Sequence, residues 1–146
     1  MAKEIKNQKK EYDDEEETKL PLTPEGKDYY DFNLKGDETK NGVDAWIVSF
    51  NAKKKKKGYL NGIMYVSKNT FDLIYSEYVP AKLPPMVYLK FRLTYSQIQG
   101  YWLLTRLQMN LNIEVNFLYY RNMTVEEIYS DYKLNNQLED SLFESE

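Results

Sequence analysis

Short runs in which apolar and polar residues alternate fill most of the chain between residues 28 and 134. In the first run Tyr30, Phe32 and Leu34 are the apolar members. Successive side chains of a β-strand point to opposite faces, so this alternation predicts a strand with one buried face. Because similar runs recur up to residue 134 and a helical period is almost absent, the sequence predicts a mainly β fold.

Turn-forming residues divide this region into about seven or eight predicted strands. Asn41-Gly42 and Gln99-Gly100 are typical of tight hairpin turns, and residues 67–69 predict another. We interpret Asn61-Gly62 as a bulge inside a strand and Arg121-Asn122 as a turn. Short links place sequential strands side by side, so we expect an antiparallel meander that curls into a half-barrel. The predicted strands are residues 29–34, 43–51, 59–66, 70–79, 86–97, 101–110, 113–120 and 123–133.

The two ends of the chain differ in composition from the middle. Residues 1–24 begin with a highly charged stretch that has too few apolar side chains to offset the entropy of ordering, so we expect a flexible arm. Residues 135–146 carry four acids and no base, and they predict an acidic tail or a short helix. The predicted domain organisation is therefore an arm (1–24), a β half-barrel domain (25–134) and a tail (135–146).

The absence of cysteine and histidine excludes several kinds of chemistry. Thiolate nucleophiles, thiolate or imidazole metal sites and Ser-His or Cys-His catalytic pairs cannot form without these residues. The sequence therefore predicts a protein that is not an enzyme, with no catalytic residues, no metal site and no cofactor. No apolar run is long enough to form a transmembrane helix, and the N-terminus lacks the apolar core of a secretory signal.

Five consecutive lysines form a predicted hairpin tip. Ammonium groups in such a cluster could contact anionic lipid headgroups, which would give a peripheral membrane contact, or nucleic-acid phosphates. A solvated turn that discourages aggregation of the flanking strands is the more common reason for such a run. The net charge of the middle region is only about +3, from 15 bases and 12 acids, so we expect no nucleic-acid partner. The lysines are Lys53, Lys54, Lys55, Lys56 and Lys57.

The aromatic content offers a second candidate binding surface. The chain has 14 Tyr, 6 Phe and 2 Trp, and aromatic side chains on a curved sheet could line a groove for an acyl chain. Strands favour aromatic residues in any case, so a role in the core is the more common explanation for each of them. Alternation does not reveal which face is concave. The candidate ligand-binding residues are Trp46, Phe50, Phe91, Leu93, Leu107 and Tyr119.

Several segments, taken in order, resemble a known superfamily. Trp46 to Phe50 and a lysine-rich tip are followed by a strand containing Asn61-Gly62, and Gly100-Tyr101-Trp102 opens a later strand. This order resembles the lipoprotein-carrier-like (LolA/RseB-like) half-barrels. It is closest to envelope proteins that pair such a module with a carboxypeptidase-regulatory-like domain. The remaining segments of the resemblance are residues 30–36, 70–74 and 129–134.

The resemblance implies a strongly curved antiparallel half-barrel whose concave side holds acyl chains or apolar protein segments. It also implies a periplasmic or outer-membrane-associated location, provided that a signal peptide has been removed; otherwise we expect a cytoplasmic protein. The helices that plug the cavity of the lipoprotein carrier are not evident in this sequence. An open sheet is therefore expected.

The sequence thus predicts a non-catalytic cell-envelope β module. Its partner would be a lipid-like ligand, an acyl chain or an apolar segment of an envelope protein, held on the curved sheet. The alternative is a structural or interaction domain of a longer outer-membrane protein with no small-molecule ligand.

Overall fold

The protein forms one antiparallel sheet of seven strands, seen in a computed structural model that describes residues 18–116 and 119–133. The strands pair strictly in sequence order, and both outer strands have a neighbour on one side only, so the sheet does not close into a barrel. The predicted mainly β meander is confirmed. The elements are α1 (Gly26–Tyr29), β1 (Tyr30–Lys40), β2 (Val43–Ala52), β3 (Leu60–Ser67), β4 (Leu73–Pro80), β5 (Val87–Ile98), β6 (Tyr101–Asn116) and β7 (Tyr119–Ile128).

Two predicted hairpin turns are confirmed at their residues. Asn41 and Gly42 connect β1 to β2 with φ values of 51° and 76°, and Gln99 and Gly100 connect β5 to β6 with φ values of 50° and 85°. Two successive residues with positive φ are typical of the tight turns that match strand twist. These turns fix the register of their hairpins.

Three local predictions are wrong. Arg121 and Asn122 lie inside β7 rather than in a turn, because β6 pairs with β5 as far as Ile113 and continues to Asn116, which pairs with Tyr119 of β7. Phe71 lies in the connection before β4, with a φ of 60° and an exposed side chain, so the predicted start of that strand at residue 70 is too early. Gly62 lies in a regular part of β3, and the register shift between β3 and β4 falls between Tyr65 and Val66 instead.

Register and alternation divide the sheet into two chemically different sides, since paired residues share a face. One side, the apolar face, is almost continuously hydrophobic from β1 to β7. The opposite side, the polar face, carries most of the charged and amide side chains. The apolar face includes Tyr30, Phe32, Val48, Phe50, Leu60, Met64, Tyr78, Phe91, Leu93, Leu107, Met109 and Val125.

Burial of the apolar face is uneven. Tyr30, Phe50, Leu60 and Met64 form a buried cluster on β1 to β3. Residues 18–25 cross this part of the sheet, where Lys19 N–H donates to the Gly58 carbonyl at 2.9 Å. On β5 to β7 the apolar side chains that are described stay half-buried or exposed. The core therefore lies at one end of the sheet, and no described residue forms a second layer over the other end.

Candidate functional site

A groove of about 720 Å³ opens where the covered part of the apolar face meets the uncovered part. Its floor is formed by β4 and β5, one wall by residues 18–20 and the other by the proline-rich connection between the two strands. We call this space the β4–β5 groove. Its lining includes Leu20, Lys57, Tyr59, Leu60, Tyr78, Lys82, Leu83, Pro84, Leu89 and Phe91.

The floor of the groove is held in place by an aromatic pair. Tyr78 of β4 and Phe91 of β5 are cross-strand partners, and their rings stack with centroids 4.9 Å apart. Burial raises the pKa of the Tyr78 hydroxyl above its ordinary value, and burial together with Tyr78 also raises that of Tyr95. Both hydroxyls therefore stay neutral at physiological pH; Tyr78 lines the groove, and Tyr95 lines a smaller hollow beside it.

A second, smaller hollow of about 220 Å³ continues from the groove towards the core. Leu20, Leu60 and Tyr78 line both spaces. Leu22 and Leu93 belong to the smaller hollow, which is more apolar than the groove. Together the two spaces form a largely apolar path along residues 18–22.

Two lysines, Lys57 and Lys82, line the groove. Lys57 comes from the connection between β2 and β3, and Lys82 comes from the connection between β4 and β5. Both side chains are exposed, so their ammonium groups remain hydrated. The site therefore combines an apolar floor with cationic groups at its entrance.

The predicted ligand-binding residues are only partly brought together. Phe91 lines the groove, Leu93 lines the smaller hollow, and Leu107 is the cross-strand partner of Leu93 on β6. Phe50 also borders the hollow, but it is 2% exposed and fills the core. Trp46 lies apart from the groove. The Lys68 ammonium lies 4.3 Å from the centroid of the Trp46 ring. The side chain of Tyr119 lies outside the part of the chain that the structure describes.

The five lysines of the predicted tip do not lie together at the groove. Lys57 borders the groove, whereas the Lys53 ammonium donates to the Lys27 carbonyl at 2.9 Å. Lys54 and Lys55 are exposed, and Lys56 takes part in the turn, where its N–H donates to the Lys54 carbonyl. Only Lys57 of the five therefore combines with the groove in one site.

Sequence reasoning missed the walls of the groove. The sequence places residues 20–22 in the predicted flexible arm, whereas Leu20, Pro21 and Leu22 line the smaller hollow on the apolar face, with the two leucines more than half exposed. Their signal was the pair of leucines, which is unusual beside a charged arm. Leu83 and Lys82 were overlooked because a connection flanked by prolines carries no periodic pattern.

The polar face offers a contrast, because its charges satisfy one another. Glu77 accepts hydrogen bonds from Lys90 at 2.7 Å and from the Tyr75 hydroxyl at 2.8 Å, and Arg92 lies 3.6 Å away. Burial alone would raise the pKa of Glu77, but these partners hold it below its usual value. A network with its charges already paired has little left to offer a ligand.

No helix among the described residues is both long enough and apolar enough to cross a bilayer. A family model with the description "Uncharacterized protein" matches residues 11–146. No curated protein and no solved structure matches the chain. Since the family match covers all but the first ten residues, the chain belongs to this family of uncharacterised proteins.

Proposed function

We propose that this protein is a non-catalytic binding module that holds an acyl chain with an anionic head in the β4–β5 groove. The observation that carries the proposal is the junction of an apolar floor, Tyr78 and Phe91, with two lysines at the entrance. Ligand pockets typically measure about 300 to 1,000 Å³, and the groove falls within that range.

The architecture gives a physical reason for a ligand. A sheet that is apolar on one side normally buries that side against a second layer. Here the segment 18–25 covers only the part above β2 to β4. An acyl chain lying in the groove would cover part of the remaining apolar surface, at about 25 cal/mol for each Å² removed from water.

The lysines predict which head group is preferred. A carboxylate or phosphate at the entrance would approach Lys57 and Lys82, whereas an alcohol head group would gain much less from the same ammonium groups. The proposed ligand is therefore a fatty acid or a similar anionic lipid. Neither a groove nor a charge identifies a cellular compartment, so the envelope location and the half-barrel resemblance stay predictions.

The test measures displacement of a fluorescent fatty acid by oleate, by oleyl alcohol and by a short soluble fatty acid. We expect oleate to displace the probe most strongly. Phe91→Ser should weaken probe binding by roughly tenfold, because part of the apolar floor is lost. Tyr88→Ser is the matched control, since Tyr88 lies on the same strand but on the other face and is 57% exposed.

The charge at the entrance is tested separately. Lys57→Ala with Lys82→Ala should weaken the binding of oleate while leaving that of oleyl alcohol nearly unchanged. Lys54→Ala serves as the control, because Lys54 is exposed and does not line the groove. Failure of oleate to displace the probe, or equal weakening by Phe91→Ser and Tyr88→Ser, would contradict the proposal.

A further inference from the structure

The outer strand β7 leaves one side of its backbone without a partner among the described residues. It pairs with β6 along ten residues, and the structure describes no strand on its other side. An open edge of this length presents a row of N–H and C=O groups that can pair with another strand. Residues 119–128 contain neither proline nor glycine, which are the usual local obstacles to such pairing.

The opposite edge of the sheet is protected in a way that β7 is not. β1 carries a register shift between Leu34 and Gly36, and Gly36 has a φ of 144°. It also carries charged side chains at Asp31, Lys35 and Asp37. Bulges and charges of this kind are what proteins use to prevent edge-to-edge association. β7 also carries charges, at Arg121, Glu126 and Glu127, but it has no bulge, so the two edges differ in the regularity of their backbones.

The side chains of β7 also fit a second copy of the same strand. We propose that β7 pairs antiparallel with β7 of another copy of this chain, about a two-fold axis at Thr124. In this register Arg121 lies opposite Glu127, and by symmetry the ion pair forms twice. Arg121 has no ion-pair partner among the described residues, and the Glu127 carboxylate accepts only a hydrogen bond from Tyr129 at 2.5 Å.

The same register places the exposed apolar side chains of β7 opposite one another. Met123, 47% exposed, faces Val125, 37% exposed, on the apolar face. Tyr120, 59% exposed, faces Ile128, 67% exposed, on the polar face. Both contacts form twice by symmetry, and cross-strand pairs of this type stabilise sheets.

Neighbouring registers lose this match. Both faces are preserved only when the strand slides by an even number of residues. An axis at Met123 would place Arg121 opposite Val125, and an axis at Val125 would place Met123 opposite Glu127. The axis at Thr124 is therefore the register in which charge meets charge and apolar meets apolar. The resulting dimer would join two apolar faces into one continuous sheet surface.

The charge match is tested by reversing the charge of Arg121 or Glu127 alone and then exchanging the two charges in one variant. The mass of the protein in solution is measured by light scattering over a range of concentrations. The native chain should form a dimer. Arg121→Glu and Glu127→Arg should each weaken it by at least about tenfold, because each creates two like-charge pairs. The double variant Arg121→Glu/Glu127→Arg should restore the dimer. Lys35→Glu on β1 is the control and should leave the dimer unchanged.

The register is tested by cross-linking, since the native chain has no cysteine. In Thr124→Cys the two introduced thiols would face each other across the axis, at a separation that a disulfide can span. Mild oxidation should produce a covalent dimer in this variant and far less in Met123→Cys or in Asn33→Cys on β1. Circular dichroism checks that each variant is folded. A native chain that stays monomeric at every concentration, or a dimer unaffected by both single reversals, would overturn the proposal. Fatty-acid binding is measured in a separate experiment, so failure of the dimer and failure of the proposed function can be told apart.

Discussion

A single hydroxyl group, that of Tyr30, joins three parts of the chain. It accepts a hydrogen bond from Leu60 N–H at 3.0 Å and donates one to the Lys19 carbonyl. The ring itself is 1% exposed and packs edge-to-face against Phe50. Burial raises the pKa of this hydroxyl, so it remains a donor throughout the physiological range. Tyr30 therefore attaches residues 18–25 to the sheet.

Tyr30→Phe should destabilise the protein by about 1 to 3 kcal/mol, because the buried Leu60 N–H loses its hydroxyl acceptor. The free energy of unfolding, measured in urea, checks this value. Tyr101→Phe is the control, since Tyr101 is 58% exposed and its hydroxyl makes no hydrogen bond among the described residues. If the two variants were equally stable, the proposed attachment would be wrong.

At the scale of one strand, Gly62 explains how β2, β3 and β4 come together. A Cβ atom built at this position would lie 2.0 Å from the Glu77 carbonyl oxygen and 2.9 Å from the Phe50 ring. No real Cβ atom approaches that closely, so a larger residue must displace the backbone of β4. The glycine is therefore required for close packing rather than for a bulge or a turn.

Gly62→Ala should destabilise the fold by about 1 to 3 kcal/mol through this overpacking. Thermal unfolding followed by circular dichroism measures the effect. Combining it with Phe50→Leu tests the cause, because a smaller side chain relieves the contact with the ring but not the closer contact with the carbonyl. We expect no rescue. A double variant as stable as Phe50→Leu alone would show that the carbonyl contact is unimportant.

The strands also show which features of the fold can be predicted from sequence. Asn41-Gly42 and Gln99-Gly100 were predictable, because their turns depend on the backbone preferences of the turn residues themselves. The position of Arg121-Asn122 within a strand was not predictable, because the length of β6 depends on its pairing with β5. One contact of this pairing is the hydrogen bond that Arg92 donates to Asn110 Oδ1 at 2.7 Å. Tertiary pairing of this kind overrides a local turn preference.

The candidate site was predictable only on strands. Alternation placed Phe91 and Leu93 on one face, and the structure confirms that they share it. The walls of the groove come from residues 18–20 and 82–85, whose positions depend on contacts distant in sequence, such as the bond from Lys19 to Gly58. No local pattern encodes such contacts.

Across residues 18–116 and 119–133, few hydrophobic side chains are fully buried, and several tyrosines lie between core and solvent. Burial raises the pKa values of Tyr75, Tyr78 and Tyr95, and Glu77 raises that of Tyr75 further. A tyrosine with a raised pKa keeps its proton in the folded state at a pH where the unfolded chain has lost it. This contribution to stability is fully present below pH 10.0, the ordinary value, and is lost as the pH rises through the folded pKa.

The protein should therefore lose stability steeply above about pH 10, and these tyrosines should cause a measurable part of the loss. Tyr78→Phe/Tyr95→Phe removes two of the titrating groups, neither of which makes a hydrogen bond among the described residues. We expect this variant to match the native protein in urea unfolding at neutral pH and to lose less stability under alkaline conditions. Tyr88→Phe/Tyr101→Phe, at two exposed positions, controls for the number of tyrosines and for lysine deprotonation, which all variants share. Parallel alkaline losses in the native protein and both double variants would show that burial of Tyr78 and Tyr95 has no part in the pH dependence. A smaller loss in the first variant alone would instead tie the alkaline limit of the fold to the floor of the β4–β5 groove, because Tyr78 lines that groove.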